Sequence, residues 1–115
     1  MGKDKSDERL PNELWVKADP PDLPDADRAR AARALAGAIV HKMREHGEVH
    51  LRCFGQASNW KGTKALIIAR GSLASYGVDL FWFCYFIDGM IGGKKETGFG
   101  FTTAAAKGAQ LPNRD

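Results

Sequence analysis

Apolar residues recur along the chain with two periods, and the change from one to the other marks out six elements. In Glu13–Ala18, Leu14, Val16 and Ala18 alternate with other residues, the spacing of a short strand. From Asp25 to His46 the spacing changes to three and four: Ala32, Leu35, Ala36, Ile39, Val40 and Met43 share one helical face. Asp25 is the expected N-cap and Gly47 the expected C-terminal cap. Alternation returns in Glu48–Phe54, with Val49, Leu51 and Cys53 on one side and His50 and Arg52 on the other. A second helix is predicted from Ser58 to about Leu73, with Ala65, Leu66, Ile68, Ala69 and Leu73 apolar. Val78–Phe86 is apolar on both faces: Val78, Leu80, Trp82, Cys84 and Phe86 on one, Phe81, Phe83 and Tyr85 beside Asp79 on the other. Gly92–Gly93 signals a hairpin, and Lys94–Thr103 is the returning strand, with Phe99 and Phe101 on one face.

Between these elements, Asp19–Pro24 holds three prolines and reads as a stiff loop. Residues 1–12 are polar and mixed in charge, and 105–115 carry no periodic pattern; both read as flexible tails around one domain spanning 13–104. The order strand, helix, strand, helix, strand, strand predicts an α+β two-layer domain, a four-stranded mixed sheet with two helices on one face. Two helices cannot cover both faces of that sheet. Phe81, Phe83 and Tyr85 then have nothing within the chain to bury them, and a Phe left wet forfeits about 1.5–3 kcal/mol of burial. A second copy of the chain is the simplest expected partner for that face.

The 115 residues fit a single domain, and 43% apolar with 27% charged residues is ordinary globular composition. The longest apolar stretch is too short for a membrane-spanning helix, and the charged start does not resemble a secretory signal. Two cysteines make no disulfide framework, which favours a cytoplasmic setting. The formal net charge of +3 is unevenly placed: residues 1–30 hold six basic and eight acidic groups, residues 31–115 eleven basic and six acidic. The body therefore accommodates an anionic partner such as DNA or RNA.

No catalytic constellation is visible, so an enzyme is not expected. His41, His46 and His50 lack the i, i+4 spacing of a zinc helix, and Cys53 and Cys84 form no CxxC pair, so no metal or other cofactor is assigned. Both cysteines sit on apolar strand faces and read as buried small hydrophobes. The electropositive positions carry more. Lys61 and Lys64 lie one turn apart at the start of the second helix, Arg70 lies further along it, and Lys94 and Lys95 follow the glycine turn. These five are the candidate phosphate contacts, with Asn59 and Trp60 beside them as candidates for sugar or base.

The run Arg33–Ala34–Leu35–Ala36–Gly37–Ala38–Ile39, then Arg44–Glu45 and Gly47–Glu48–Val49–His50–Leu51–Arg52, resembles the stage V sporulation protein S family. So do Lys64–Ala65, Ile68–Ala69–Arg70–Gly71, Gly77–Val78–Asp79–Leu80 and Phe86–Ile87–Asp88, followed by Ile91, Gly93 and Thr97. The resemblance covers about residues 13–104. It implies an Alba-like β-α-β-α-β-β fold, homodimers, binding of DNA or RNA without catalysis, and a place in bacterial sporulation or development. The chain departs from the family at Gln56–Thr63, where the family carries a Val–Asn–Gln–Ala run. It also departs in the acidic first loop, in the aromatic third strand, and at Lys94 and Lys95, where the family is often acidic. The alternative function is a protein-interaction or self-assembly module in which the basic groups are merely solvated.

Overall fold

The computed structural model describes residues 10–107. Six elements follow in the expected order: β1 (Glu13–Val16), α1 (Asp25–His46), β2 (His50–Cys53), α2 (Gln56–Ala74), β3 (Val78–Ile91) and β4 (Lys94–Lys107). The strands form one sheet in the order β1-β2-β4-β3. β1 and β2 are parallel, as the crossover through α1 requires, whereas β4 runs antiparallel to both β2 and β3. The architecture is two-layered α+β, of the Alba-like type.

Both helices lie on one side of the sheet. Ala32, Ala36, Ile39 and Met43 of α1 and Ala65, Leu66, Ala69 and Leu73 of α2 are buried, as are Val49, Leu51, Cys53, Leu80 and Phe101 from the sheet. Alanine dominates the helical side of this core, so the helix backbones approach closely. Thr103 is a fully buried polar group within it. Its backbone N–H donates to the Val49 carbonyl at 2.9 Å, and its Oγ1 accepts from the Val49 N–H at 2.9 Å. The hydroxyl hydrogen has the Met43 sulfur at 2.9 Å and the Val49 carbonyl at 3.2 Å as acceptors. One side chain thus ties β4 to the entry of β2 and to α1 with its hydrogen-bonding capacity satisfied.

Several boundaries differ from the sequence pattern, each for a local reason. The N-cap of α1 is Pro24, whose carbonyl accepts from the Asp27 and Arg28 amides at 3.0 and 2.9 Å; Asp25 is the first helical residue. The C-terminal cap is Gly47 as expected, with φ 77° and its N–H on the Met43 carbonyl. Helix α2 begins at Gln56 with Gly55 as N-cap, and Ser58 does not cap it. Ser58 is buried, and its hydroxyl donates back to the Phe54 carbonyl at 2.7 Å. Strand β1 stops at Val16, ahead of the proline loop. Strand β4 runs to Lys107, so residues 105–107, expected in a loose tail, pair with the start of β3; Ala105 opposes Leu80. Leu10–Asn12, expected in the other tail, are also held: the His50 amide donates to the Asn12 carbonyl at 2.9 Å. The rest of both expected tails lies outside the described residues.

The largest difference is the length of β3. It continues to Ile91, and with β4 makes a hairpin of two 14-residue strands. Gly92 and Gly93, at φ 59° and 78°, turn it, the pair of positive φ angles that a two-residue type I′ hairpin needs. Phe99 of β4 opposes Cys53, the last residue of β2. The five residues from Lys94 to Gly98 therefore project roughly 17 Å past the end of β2. This arm outruns both helices.

Candidate nucleic-acid interface

Strand direction decides which candidate residues meet. β1 and β2 both end where α1 and α2 begin, and the hairpin turn lies beyond that same end. Asn59, Trp60, Lys61 and Lys64, from the first half of α2, are thereby gathered with Lys94 and Lys95 at one end of the molecule. Arg70 is not among them. It lies near the other end of α2 and borders a shallow depression with Asp79, Leu80, Phe81 and Trp82.

Trp60 is 71% exposed, so it does not pack on the sheet rim. With Lys61, Lys64, Arg28, Asp19 and Asp25 it lines a cleft of about 300 Å³. The cations of this cleft are unequal. Lys61 Nζ lies 2.8 Å from Asp19 Oδ1 and donates to the Lys17 carbonyl at 3.0 Å. Arg28 donates from Nε to the Leu23 carbonyl and from Nη2 to the carbonyls of Pro20 and Pro21, at 2.8–3.1 Å. Both side chains hold the proline loop, whose three prolines supply no amide donors of their own. Lys64, by contrast, is exposed and in no ion pair among the described residues, and so are Lys94 and Lys95 on the arm. The first amides of α2 have no side-chain cap, and such a helix end favours anions.

Asn59 faces a different hollow. Where the arm leaves the body, Gly55 and, from α2, Gln56 and Asn59 meet Cys53, Phe86, Thr97, Gly98 and Phe99 around a cavity of about 260 Å³. The rings of Phe86 and Phe99 lie 5.6 Å apart, tilted by 38°. The pattern puts Phe86 on one face with Leu80, and Phe99 on one face with Phe101; the pairing makes these a single, helix-covered face. They are on that face, but Phe86 is 77% exposed because the helices stop short of it. Cys84, on the same edge strand, is exposed too, which corrects its reading as a buried hydrophobe. Cys53 is buried, and its thiol is pushed up to about 12 by burial, with the Cys84 thiol adding to the shift.

The open face of the sheet is electrostatically spent. Arg52 stacks over Trp15 at 5.2 Å and has its Nε 3.3 Å from a Glu13 carboxylate oxygen. His50 sits 2.9 Å from both a Glu48 carboxylate oxygen and the Thr102 hydroxyl, which also bonds Tyr85 Oη. Phe54 lies against Gly89 and Gly98, closing one part of the face. Phe81, Phe83 and Tyr85 remain 37%, 64% and 41% exposed on the side away from the helices. This face offers aromatic surface and few unpaired cations, whereas the arm end offers cations.

A second basic surface was not singled out by the sequence pattern. A groove of about 440 Å³ between the outer sides of α1 and α2 is bordered by Arg33, His41 and Arg44. His41 is 3.4 Å from a Glu45 carboxylate, and the Arg44 guanidinium stacks on Tyr76 at 5.6 Å. Among the described residues no three His, Cys, Asp or Glu side chains come together as a metal site requires. No described helix is long and apolar enough to cross a membrane.

The fold and the arm-end cluster define a small two-layer protein of the Alba-like class. The family model for stage V sporulation protein S (SpoVS) matches residues 28–106, and the chain belongs to that family. It is thus a sporulation-related protein. The match opens within α1 and closes within β4, leaving β1 and the proline loop outside it.

Proposed function

We propose that this protein is a non-catalytic nucleic-acid-binding factor that acts as a homodimer, a regulator or chromatin-like component in bacterial sporulation or development, working in the cytoplasm on the nucleoid or on RNA. The observation that carries the reading is the gathering of Lys64, Lys94, Lys95 and the uncapped start of α2 at one end of the fold, beside the exposed ring of Trp60. Phosphates meet the lysines and helix amides, and Trp60 stacks on sugar or base. Lys61 acts in this scheme by fixing the loop that walls the cleft.

The test is titration of labelled duplex DNA and single-stranded RNA at two salt concentrations, for the native chain and for Lys64→Glu/Lys94→Glu/Lys95→Glu. Native binding weakens with salt, and the triple variant loses binding at about 50 mM salt. Unchanged binding in that variant overturns the assigned surface. If Arg33→Glu abolishes binding instead, the interface is the groove between the helices.

The homodimer is proposed through the open face around Phe81, Phe83 and Tyr85 and the free edge of β3. That edge is 14 residues long and carries neither Lys nor Pro, the usual guards against strand pairing. The same observation favours the second reading, an assembly module that binds no nucleic acid. Light scattering tests the shared contact: Phe83→Glu reduces the mass to that of one chain if this face makes it, and nucleic-acid binding separates the two readings. Association without any DNA or RNA binding at about 50 mM salt gives the second reading the lead.

A further inference from the structure

We propose that the corner between the hairpin arm and the start of α2 seats one unpaired nucleobase, which makes single-stranded nucleic acid, rather than duplex, the ligand. The inference rests on the reading above and names its substrate class. The cavity, about 260 Å³, lies below the ~300–1,000 Å³ of sites for drug-sized ligands and has room for one planar ring system. Its walls suit such a ring. Phe86 is 77% exposed, beside Phe99, an apolar surface left wet where the arm leaves the body. Its rim suits the edge of a base. Asn59 borders the cavity, and its Oδ1 is buried with no donor in reach. Because the oxygen has no hydrogen-bond partner to lose, the side chain is free to rotate and turn the edge of its amide, one donor beside one acceptor, towards the ring, the pair an asparagine uses on adenine. Gln56 adds a further polar group at the mouth, and the Thr97 hydroxyl beside it donates to Asp88 Oδ1 at 3.1 Å, a carboxylate set against the lysines here.

The surroundings suit a chain of phosphates more than a protein side chain. Lys95 lies two residues from Thr97 on the same face of β4, and the uncapped start of α2 forms the opposite wall. An aromatic side chain of a partner would fill the slot but leave the Asn59 oxygen and these positive groups unanswered. A base stacked within a duplex cannot enter so narrow a corner, whereas an unpaired base can turn out of its strand into it.

The experiment is fluorescence anisotropy at about 50 mM salt. The probes are a labelled mixed-sequence DNA strand of about 16 nucleotides, the RNA of the same sequence, the DNA duplex, and a strand of equal length without bases. The native chain, Phe86→Ala and Asn59→Ala are compared, with circular dichroism confirming that each folds. The native chain is expected to bind the intact strands more tightly than the duplex. Phe86→Ala weakens strand binding by about tenfold or more and leaves the duplex unchanged. The abasic strand binds the native chain as weakly as the intact strand binds Phe86→Ala, and Asn59→Ala alters the preference among bases. The DNA and RNA strands rank the two sources of the base. Equal affinity for strand and duplex, with no effect of Phe86→Ala, overturns the base seat and leaves the nucleic-acid reading standing. Absence of binding to every probe overturns both.

Discussion

Lys61 and Asp19 lie 2.8 Å apart, with only 17% and 12% of their side chains exposed, and so join the middle of α2's first half to the start of the proline loop. A pair this far out of water is weakened little by salt, and removing one partner strands the other. Lys61→Ala is expected to destabilise the fold by about 1–3 kcal/mol, between the values for exposed and fully buried pairs. Asp19→Ala should cost a similar amount and the double variant less than the sum. Urea denaturation of the four proteins checks this, and additive losses would show that the pair does not interact.

Two glycines within helices should respond in opposite directions. A Cβ at Gly37 meets nothing within 4 Å, so Gly37→Ala is expected to stabilise α1 by about 0.5–1 kcal/mol. A Cβ at Gly62 would lie 2.9 Å from Cys53 Sγ, with Leu51 and Val16 also in contact. Gly62→Val forces α2 away from β2 and should cost about 1–3 kcal/mol or more. Thermal melts of the two variants against the parent give both signs.

The two thiols should be distinguishable in the native protein. Cys84 is exposed and Cys53 is buried, so a thiol reagent titrates one group per chain before denaturation and two after it. The same burial makes stability depend on alkaline pH. With the Cys53 thiol held up at about 12, the folded chain keeps a proton that the unfolded chain releases near the ordinary thiol range, about 8.5. Between those values the unfolded state binds fewer protons, so stability falls as pH rises. Cys53→Ala, though less stable throughout, should have a flatter decline across that window; an unaltered slope would assign it to other groups.

Trp60 should report ligand binding directly. It is 71% exposed, while Trp15 and Trp82 are half-buried. Iodide is expected to quench mainly the Trp60 emission, and Trp60→Phe should remove most of the quenchable fraction. Saturating nucleic acid should shield the native chain from iodide; quenching that persists unchanged at saturation would place the ligand away from this residue.

The layers of the fold were legible because both periods are clean. Alternation put Leu51 and Cys53 under the helices and Phe83 on the opposite face, and the three-four spacing of Ala32 to Met43 identified the buried side of α1. End points were less legible. β3 was read only from its most apolar segment, Val78–Phe86, but an arm that projects past the helices has no buried face to keep apolar, and its pairing with β4 carries it to Ile91. The corner cavity was missed with it, since Phe86 and Phe99 signal only a covered face when the strand is taken as short. Lys61 was legible as a cation, but its partner lies 42 residues away across the proline loop, and no local spacing announces such a pair. Arg70 follows Lys64 by six residues, which a helix carries some 9 Å further from the arm.

The overhang of the hairpin separates two kinds of evolutionary freedom. Leu80 and Phe101 are locked into the interior, where a change of shape threatens the folded state itself. Met90, Lys94 and Lys95 touch almost none of that interior, so their replacement alters the surface and leaves the folded state largely as it was. Relatives built on this frame can diverge at the tip while the body beneath stays the same.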